Sequence, residues 1–262
     1  MDYKNLIYEK KKWVGKIVIN RPKALNAIDL ESMVELKNLL LEIKDDPQIR
    51  VILITGSGDK SFIVGADRNE MKRHGDDEKE AKEFEVCGRD AFSLLENMGK
   101  PSICAINGFA FGLGLQLALA STFRIVSAEA RLGLPEINFG FFPSMGATQR
   151  LTRLVGEGKA MEMILTGEPI DGEEAFRIGL ANKLIPSAEL KEYAEKFAEK
   201  LSEKSPITMN LAMDAIKHEK ILSMEDGLAY ESELSDICFK TEDFQEGRSA
   251  LSEKRKPIFK GR

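Results

Sequence analysis

Two short apolar runs, Arg50-Val-Ile-Leu-Ile-Thr55 and Pro101-Ser-Ile-Cys-Ala-Ile106, give way almost at once to glycines. The first meets Gly56-Ser-Gly58, and the second meets Gly108, Gly112 and Gly114. An uninterrupted apolar run with such a stop predicts a strand buried on both faces. Lys16-Ile-Val-Ile-Asn20, Ser61-Phe-Ile-Val64, Phe123-Arg-Ile-Val126 and Ala130-Arg-Leu132 predict further short strands. Helical stretches fall between them, one capped by Asp29 and running to about Ile43, another over Leu115–Ala120. The charge-dense stretch 70–85 reads as a solvated helix or a mobile segment. From Gly158 onward strands become scarce. Helices are expected over Lys159–Leu165, Gly172–Ile178, Ala188–Ser202, Ile207–Lys217 and Met224–Phe239. The chain is therefore an α/β protein with a βα-repeating half and a helical half.

Composition narrows the function. The 262 residues can bury a large core. Thirty-eight basic against 43 acidic residues leave a net charge of −5, which argues against a nucleic-acid surface. Lys254-Arg-Lys256 and Lys260-Gly-Arg262 form only a local basic end. The three cysteines, Cys87, Cys104 and Cys238, lie far apart and form no Cys-x-x-Cys pair, so neither a disulfide framework nor a zinc site is indicated. They suit reduced thiols in the cytoplasm. The two histidines, His74 and His218, sit among charged residues and are expected on the surface, which leaves no His-centred triad or metal site. Met1–Glu9 carries no apolar signal segment, and apolar stretches such as Leu113–Ala120 are too short to span a bilayer.

Three motifs carry chemistry, in this order: Gly112-Leu-Gly-Leu-Gln116, Leu134-Pro-Glu-Ile-Asn138 and Met145-Gly-Ala-Thr-Gln-Arg-Leu151. The first N–H groups of a helix lack intrahelical partners and sit at its positive end. A glycine-flanked start lets a ligand approach them closely. Taken alone, such a turn is most often structural. Gly112-Leu-Gly114 lacks the third glycine of a dinucleotide fingerprint, and no Walker A spacing occurs. Glu136 follows Pro135 in a loop rich in glycine and phenylalanine. Read alone it is a solvated loop carboxylate; held among Phe139, Phe141 and Phe142 it is desolvated and raised toward a useful acid/base range.

In order and spacing, the three motifs resemble the active-site half of the crotonase (enoyl-CoA hydratase/isomerase) superfamily. The resemblance runs from about Ile17 to Lys260. It implies a spiral of ββα turns over 1–195, carrying the CoA and active sites, and a helical trimerisation region over 196–262. It implies an acyl-CoA thioester substrate, no separate cofactor since CoA is part of that substrate, and a homotrimer or dimer of trimers. By position, the backbone N–H groups of Ala66 and Leu113 match the family's oxyanion hole, which prearranges donors for a thioester enolate. Leu113 stands where the family usually has glycine. Its amide survives, and the larger side chain bears on substrate size. Glu136 matches a catalytic glutamate. Gln116 stands where family hydratases carry the other, and an amide cannot titrate. Asn20-Arg-Pro-Lys-Ala-Leu-Asn-Ala27 resembles the segment lining the CoA channel, with Lys23, Ala24 and Leu25 near the nucleotide. Gly65-Ala-Asp67 matches the adenine-side segment through Asp67, then departs at Arg68 and Asn69, where Ile-Lys is common. Phe259 and Lys260 are candidates to meet the adenine or 3′-phosphate across a subunit boundary.

Three readings stay open from sequence. The first is a hydratase with Glu136 moving protons and Gln116 positioning water. Losing the second titrating group costs on the order of 10²–10⁴ in rate, yet syn addition of water can be drawn with Glu136 alone. A 3,2-enoyl-CoA isomerase needs only one proton shuttle, and a cyclic or conjugated dienoyl-CoA hydratase is a further variant. The third is a paralogue that binds acyl-CoA without turnover.

Overall fold

The computed structural model describes residues 3–262, apart from the side chains of residues 73–76; the surface assignment of His74 lies outside that description. The spiral expected from the resemblance is the one the chain adopts. A first turn comprises β1 (Leu6–Lys11), β2 (Val14–Ile19) and α1 (Leu30–Asp45). The second comprises β3 (Val51–Gly56), β4 (Ser61–Ile63), α2 (Arg68–Asp76) and α3 (Glu78–Asn97). The third comprises β5 (Ser102–Ile106), β6 (Phe109–Phe111) and α4 (Leu113–Ala120). The fourth comprises β7 (Phe123–Ser127), β8 (Arg131–Gly133), a 3₁₀ turn over Pro135–Phe139, α5 (Ala147–Val155) and α6 (Glu157–Thr166). Then follow β9 (Ile170–Asp171), α7 (Gly172–Arg177), β10 (Lys183–Ile185) and α8 (Ser187–Ser202). Three helices close the chain: α9 (Pro206–His218), α10 (Met224–Phe239) and α11 (Glu242–Ser252).

Each middle turn gives one strand to each of two sheets. The larger runs β1-β2-β3-β5-β7-β10 and the smaller β4-β6-β8-β9. Pairing is parallel except at the edges β1·β2 and β8·β9. Strand β3 explains the continuous apolar run: Val51 and Leu53 meet Leu190, Ala194 and Ala198 of α8, while Ile52 and Ile54 join the main core on the opposite face. On α1, Asp29 Oδ1 accepts from the Ser32 N–H at 2.8 Å, the expected cap. Met33, Leu36, Leu39, Leu40 and Ile43 form its buried stripe.

Helix α4 is buried at every residue, which accounts for a sequence whose one polar side chain is Gln116. Arg124 secures its C-terminal end, donating to Ser121 C=O at 2.7 Å and to Leu180 C=O at 2.6 Å.

Residue 195 lies within α8, which packs along the large sheet. Beyond it α9 buries no residue, and Ile216, Ile221, Met224 and Leu228 of the helical end are exposed. The stretch 70–85 forms α2 and the start of α3. Along α3, Phe84, Cys87, Ala91 and Leu95 repeat at helical spacing and pack into the core. Among the described residues no helix is long and apolar enough to cross a membrane.

Candidate active site

Strands β4, β6 and β8 run side by side and parallel, so their C-terminal ends open onto one place. Open α/β sheets present ligand sites at that edge. After β4 the chain turns through Gly65 and Ala66. After β6 it turns at Gly112 into α4. After β8 it enters the 3₁₀ turn that carries Glu136. The Gly112 N–H donates to Gly133 C=O at 3.0 Å and keeps the last two turns adjacent.

The two backbone donors are free for geometric reasons. Ile28 pairs with Ala66 in a single parallel bridge whose bonds use Gly65 C=O (2.9 Å) and Asp67 N–H (2.8 Å). The N–H of Ala66 itself therefore points away from Ile28. Leu113 opens α4, so its N–H has no intrahelical acceptor and lies at the positive end of the helix. Ala66 and Leu113 line one cavity of about 1010 Å³ together with Gln116 and Glu136. Gly112 adopts φ +51°, ψ −116°, and a Cβ there would sit 3.3 Å from Glu136 Oε1. Glycine thus allows both the turn and the approach of the carboxylate.

Glu136 is 6% exposed and Gln116 3%. Gln116 Nε2 donates to Glu136 Oε1 at 2.8 Å, and Gln116 Oε1 accepts from the Met145 N–H at 3.0 Å. A backbone N–H can only donate, so Met145 decides which end of the Gln116 amide faces Glu136. Glu136 Oε2 is buried and has no hydrogen-bond partner. Burial pushes the Glu136 carboxyl above the ordinary glutamate value, against the pull of its own backbone amide and of Gln116.

The structure thus brings Ala66, Leu113, Gln116 and Glu136 together. The other singled-out residues stand apart from this group. Lys23 and Ala24 lie in a 3₁₀ turn at Pro22–Ala24, followed by Leu25 at φ +52°. The Asp67 carboxylate meets Arg21 at 3.1 Å and accepts from the Asn69 N–H, while Arg21 also pairs with Asp29 at 2.7 Å. Asp67 therefore ties the 21–29 loop to the Ala66 turn. Phe259 and Lys260 are docked on the helical end of their own chain. Arg50 Nη2 donates to Phe259 C=O at 2.8 Å, and the Lys260 N–H donates to Asp243 Oδ1 at 2.6 Å.

Sequence reasoning missed much of the cavity wall. Val64, Met71, Phe84 and Met145 line it, with Arg68 and Lys72 of α2. The helical spacing of Phe84, Cys87 and Ala91 was the available signal, hidden by the surrounding charge. Among the described residues no three His, Cys, Asp or Glu side chains converge as a metal site.

Known proteins share this architecture. The family model for enoyl-CoA hydratase/isomerase matches residues 9–262. A crotonyl-CoA hydratase of Syntrophomonas wolfei is 40% identical over 259 residues, covering 99% of each chain. A short-chain-enoyl-CoA hydratase of Clostridium acetobutylicum is 41% identical over 256 residues, covering 98% of this chain and 97% of that one. The crystal structure of an enoyl-CoA hydratase from Bacillus anthracis superposes with a TM-score of 0.95 at 37% identity, over 99% of this chain and all of the other. Motif order, ββα spiral and full-length similarity agree, and the chain belongs to the enoyl-CoA hydratase/isomerase family, the crotonases.

Proposed function

We propose that this protein is an enoyl-CoA hydratase that adds water across the α,β double bond of an acyl-CoA. The observation that carries the reading is Glu136, a buried carboxylate that lines the same cavity as two free backbone donors. The thioester carbonyl sits against the N–H groups of Ala66 and Leu113. Ionised Glu136 takes a proton from water as the water oxygen bonds to the β-carbon. The electron pair of the double bond moves through the α-carbon to the thioester oxygen, and the two donors hold the resulting enolate. Glu136 then returns its proton to the α-carbon and is ionised again. Gln116 donates one N–H to Glu136 Oε1, which orients the carboxylate, and its second N–H holds the water.

CoA is part of the substrate, so the reaction needs no other cofactor. Lys23, Ala24 and Leu25 are assigned to the nucleotide end of CoA. In one chain Phe259 and Lys260 lie away from the cavity, so their part in CoA binding falls to a neighbouring copy. A homotrimer or dimer of trimers, formed through the exposed apolar side chains of α9 and α10, supplies that neighbour. Light scattering is expected to give three or six times the 29.2 kDa chain mass; a monomeric mass refutes this assembly. The proposed setting is the reducing cytoplasm.

The deciding experiment incubates the protein with 2-enoyl-, 3-enoyl- and cyclic dienoyl-CoA thioesters in ¹⁸O water and weighs the products. Gain of one labelled water supports hydration. An isomerised product without added water moves the assignment to a 3,2-enoyl-CoA isomerase, the reading favoured by the single titrating group in the Gln116–Glu136 pair. No change in any substrate refutes both.

A further inference from the structure

Behind the Gln116–Glu136 pair lies a chain of contacts that none of the proposed steps uses. Arg150, on the second turn of α5, reaches back past the start of its own helix. Its Nη1 donates to Met145 C=O at 2.9 Å. Its Nε and Nη2 both donate to Glu96 Oε2 of α3, at 3.0 and 2.8 Å. The guanidinium is planar, so its bonds to Glu96 and Met145 share one orientation. Its side chain is 13% exposed, which limits solvent competition for these bonds. The same Met145 residue, through its N–H, holds Gln116 Oε1 at 3.0 Å. Gln116 Nε2 in turn holds Glu136 Oε1 at 2.8 Å. The contacts run unbroken from α3 through α5 and the Met145 backbone to α4 and the 3₁₀ turn.

We propose that Arg150 is a positioning residue for Glu136, acting through the Met145 backbone and the Gln116 amide. The inference rests on the hydratase reading, in which Glu136 moves the proton. Its physical basis is the polarity of an amide. Gln116 can present either an N–H or an oxygen to Glu136, and only the N–H suits an ionised carboxylate. Nothing in Gln116 itself selects between them; the Met145 N–H does. Met145 precedes Gly146, the N-cap of α5 at φ +94°, and so lies outside the helix, where its C=O needs another donor to hold it. Arg150 supplies that hold. Without it the Met145 backbone is free to turn, the amide loses its reason to point one way, and the Glu136 donor is lost.

The test begins with Glu136→Gln. Near-full turnover in that variant refutes the hydratase reading itself, whatever Arg150 does. With that reading intact, Arg150→Met is expected to lower kcat about 10- to 100-fold, as small misplacements of reacting groups do, with KM little changed. The acid limb of kcat/KM against pH should move to higher pH, because an ionised Glu136 without its donor is less favoured. The charged groups around the cavity are Arg68 and Lys72 of α2 and Glu78, Lys82 and Glu85 of α3, with Glu96 and Arg150 behind Met145. A direct effect of the lost Arg150 charge is separated by a second background. In Gln116→Leu the donor is already gone, so adding Arg150→Met should cost no further rate and move the limb no further. Arg150→Lys keeps a cation with a single donor nitrogen, so the test survives if the methionine variant fails to fold; its loss of kcat should be smaller and should likewise vanish in the Gln116→Leu background. An unshifted limb, or an equal Arg150 effect in both backgrounds, overturns the proposal and leaves Arg150 a purely structural residue.

Discussion

Glu136→Gln is expected to lower turnover of an enoyl-CoA on the order of 10²- to 10⁴-fold, the loss that follows removal of a general base. The change keeps the shape of the side chain, so the cavity keeps its volume. It replaces a group that can take a proton from water with one that cannot. The fold should tolerate it. In the native protein Oε2 is buried without a partner, and burial already disfavours the ionised carboxyl. A neutral amide there escapes most of that desolvation cost, so the melting temperature should hold or rise while activity collapses. The pH profile gives a second readout. Glu136 must be ionised to accept the first proton, and its pKa lies above the ordinary glutamate value. Native kcat/KM should therefore fall as the pH drops through that raised pKa, at a higher pH than a solvated carboxylate would give. The residual activity of the variant should lack this limb. Steady-state kinetics across pH, with a thermal melt of each protein, measure both. Near-native turnover from the variant would place the proton transfer elsewhere.

The parts of the molecule legible in sequence are those decided locally. The apolar run of β3 and the cap at Asp29 needed only neighbouring residues, and Met224–Phe239 forms α10 with those same bounds. Strand β1 escaped notice because Tyr8-Glu9-Lys10-Lys11 is an edge strand with charge on its open side, which suppresses the apolar pattern. Helix α11 was missed for a similar reason: Glu242 and Asp243 open it, and its buried side is narrow. The site is a mixed case. Ala66, Leu113, Gln116 and Glu136 were recognisable from the order of motifs and the resemblance they carry. Their partners were not. Glu96 and Arg150 are 54 residues apart, and the Met145 N–H that orients Gln116 belongs to a backbone whose position no side chain announces. Local periodicity reports burial well. It says little about which polar groups from distant turns of the spiral will meet.

Gly114→Ala sets two opposed effects against each other. Alanine is the better helix former, by about 1 kcal/mol in a helix interior, so propensity alone predicts a more stable protein. Packing predicts the reverse. A Cβ at position 114 would lie 2.2 Å from Ile63 C=O oxygen and 2.9 Å from Ile63 Cβ. The obstacle is backbone of β4, which cannot rotate out of the way as a long side chain does. Helix α4 would have to lift from β4 by on the order of 1 Å to restore ordinary contact. Overpacking of this kind costs about 1–3 kcal/mol, enough to overcome the gain in propensity. The functional loss should be larger. Leu113 rides on the first turn of α4, while Ala66 follows β4, so lifting one from the other parts the two proposed enolate donors. Removing one such donor costs about 10²–10³ in kcat, and a comparable loss is expected here. Gly158 is the matched control. It is likewise the second residue of a helix, α6, and a Cβ there meets nothing within 4 Å. Gly158→Ala should melt no lower than the native protein and keep its rate. Thermal melts and kcat for both variants separate packing from propensity. If Gly114→Ala behaves as Gly158→Ala does, the close crossing of α4 over β4 is not what sets the spacing of the donors.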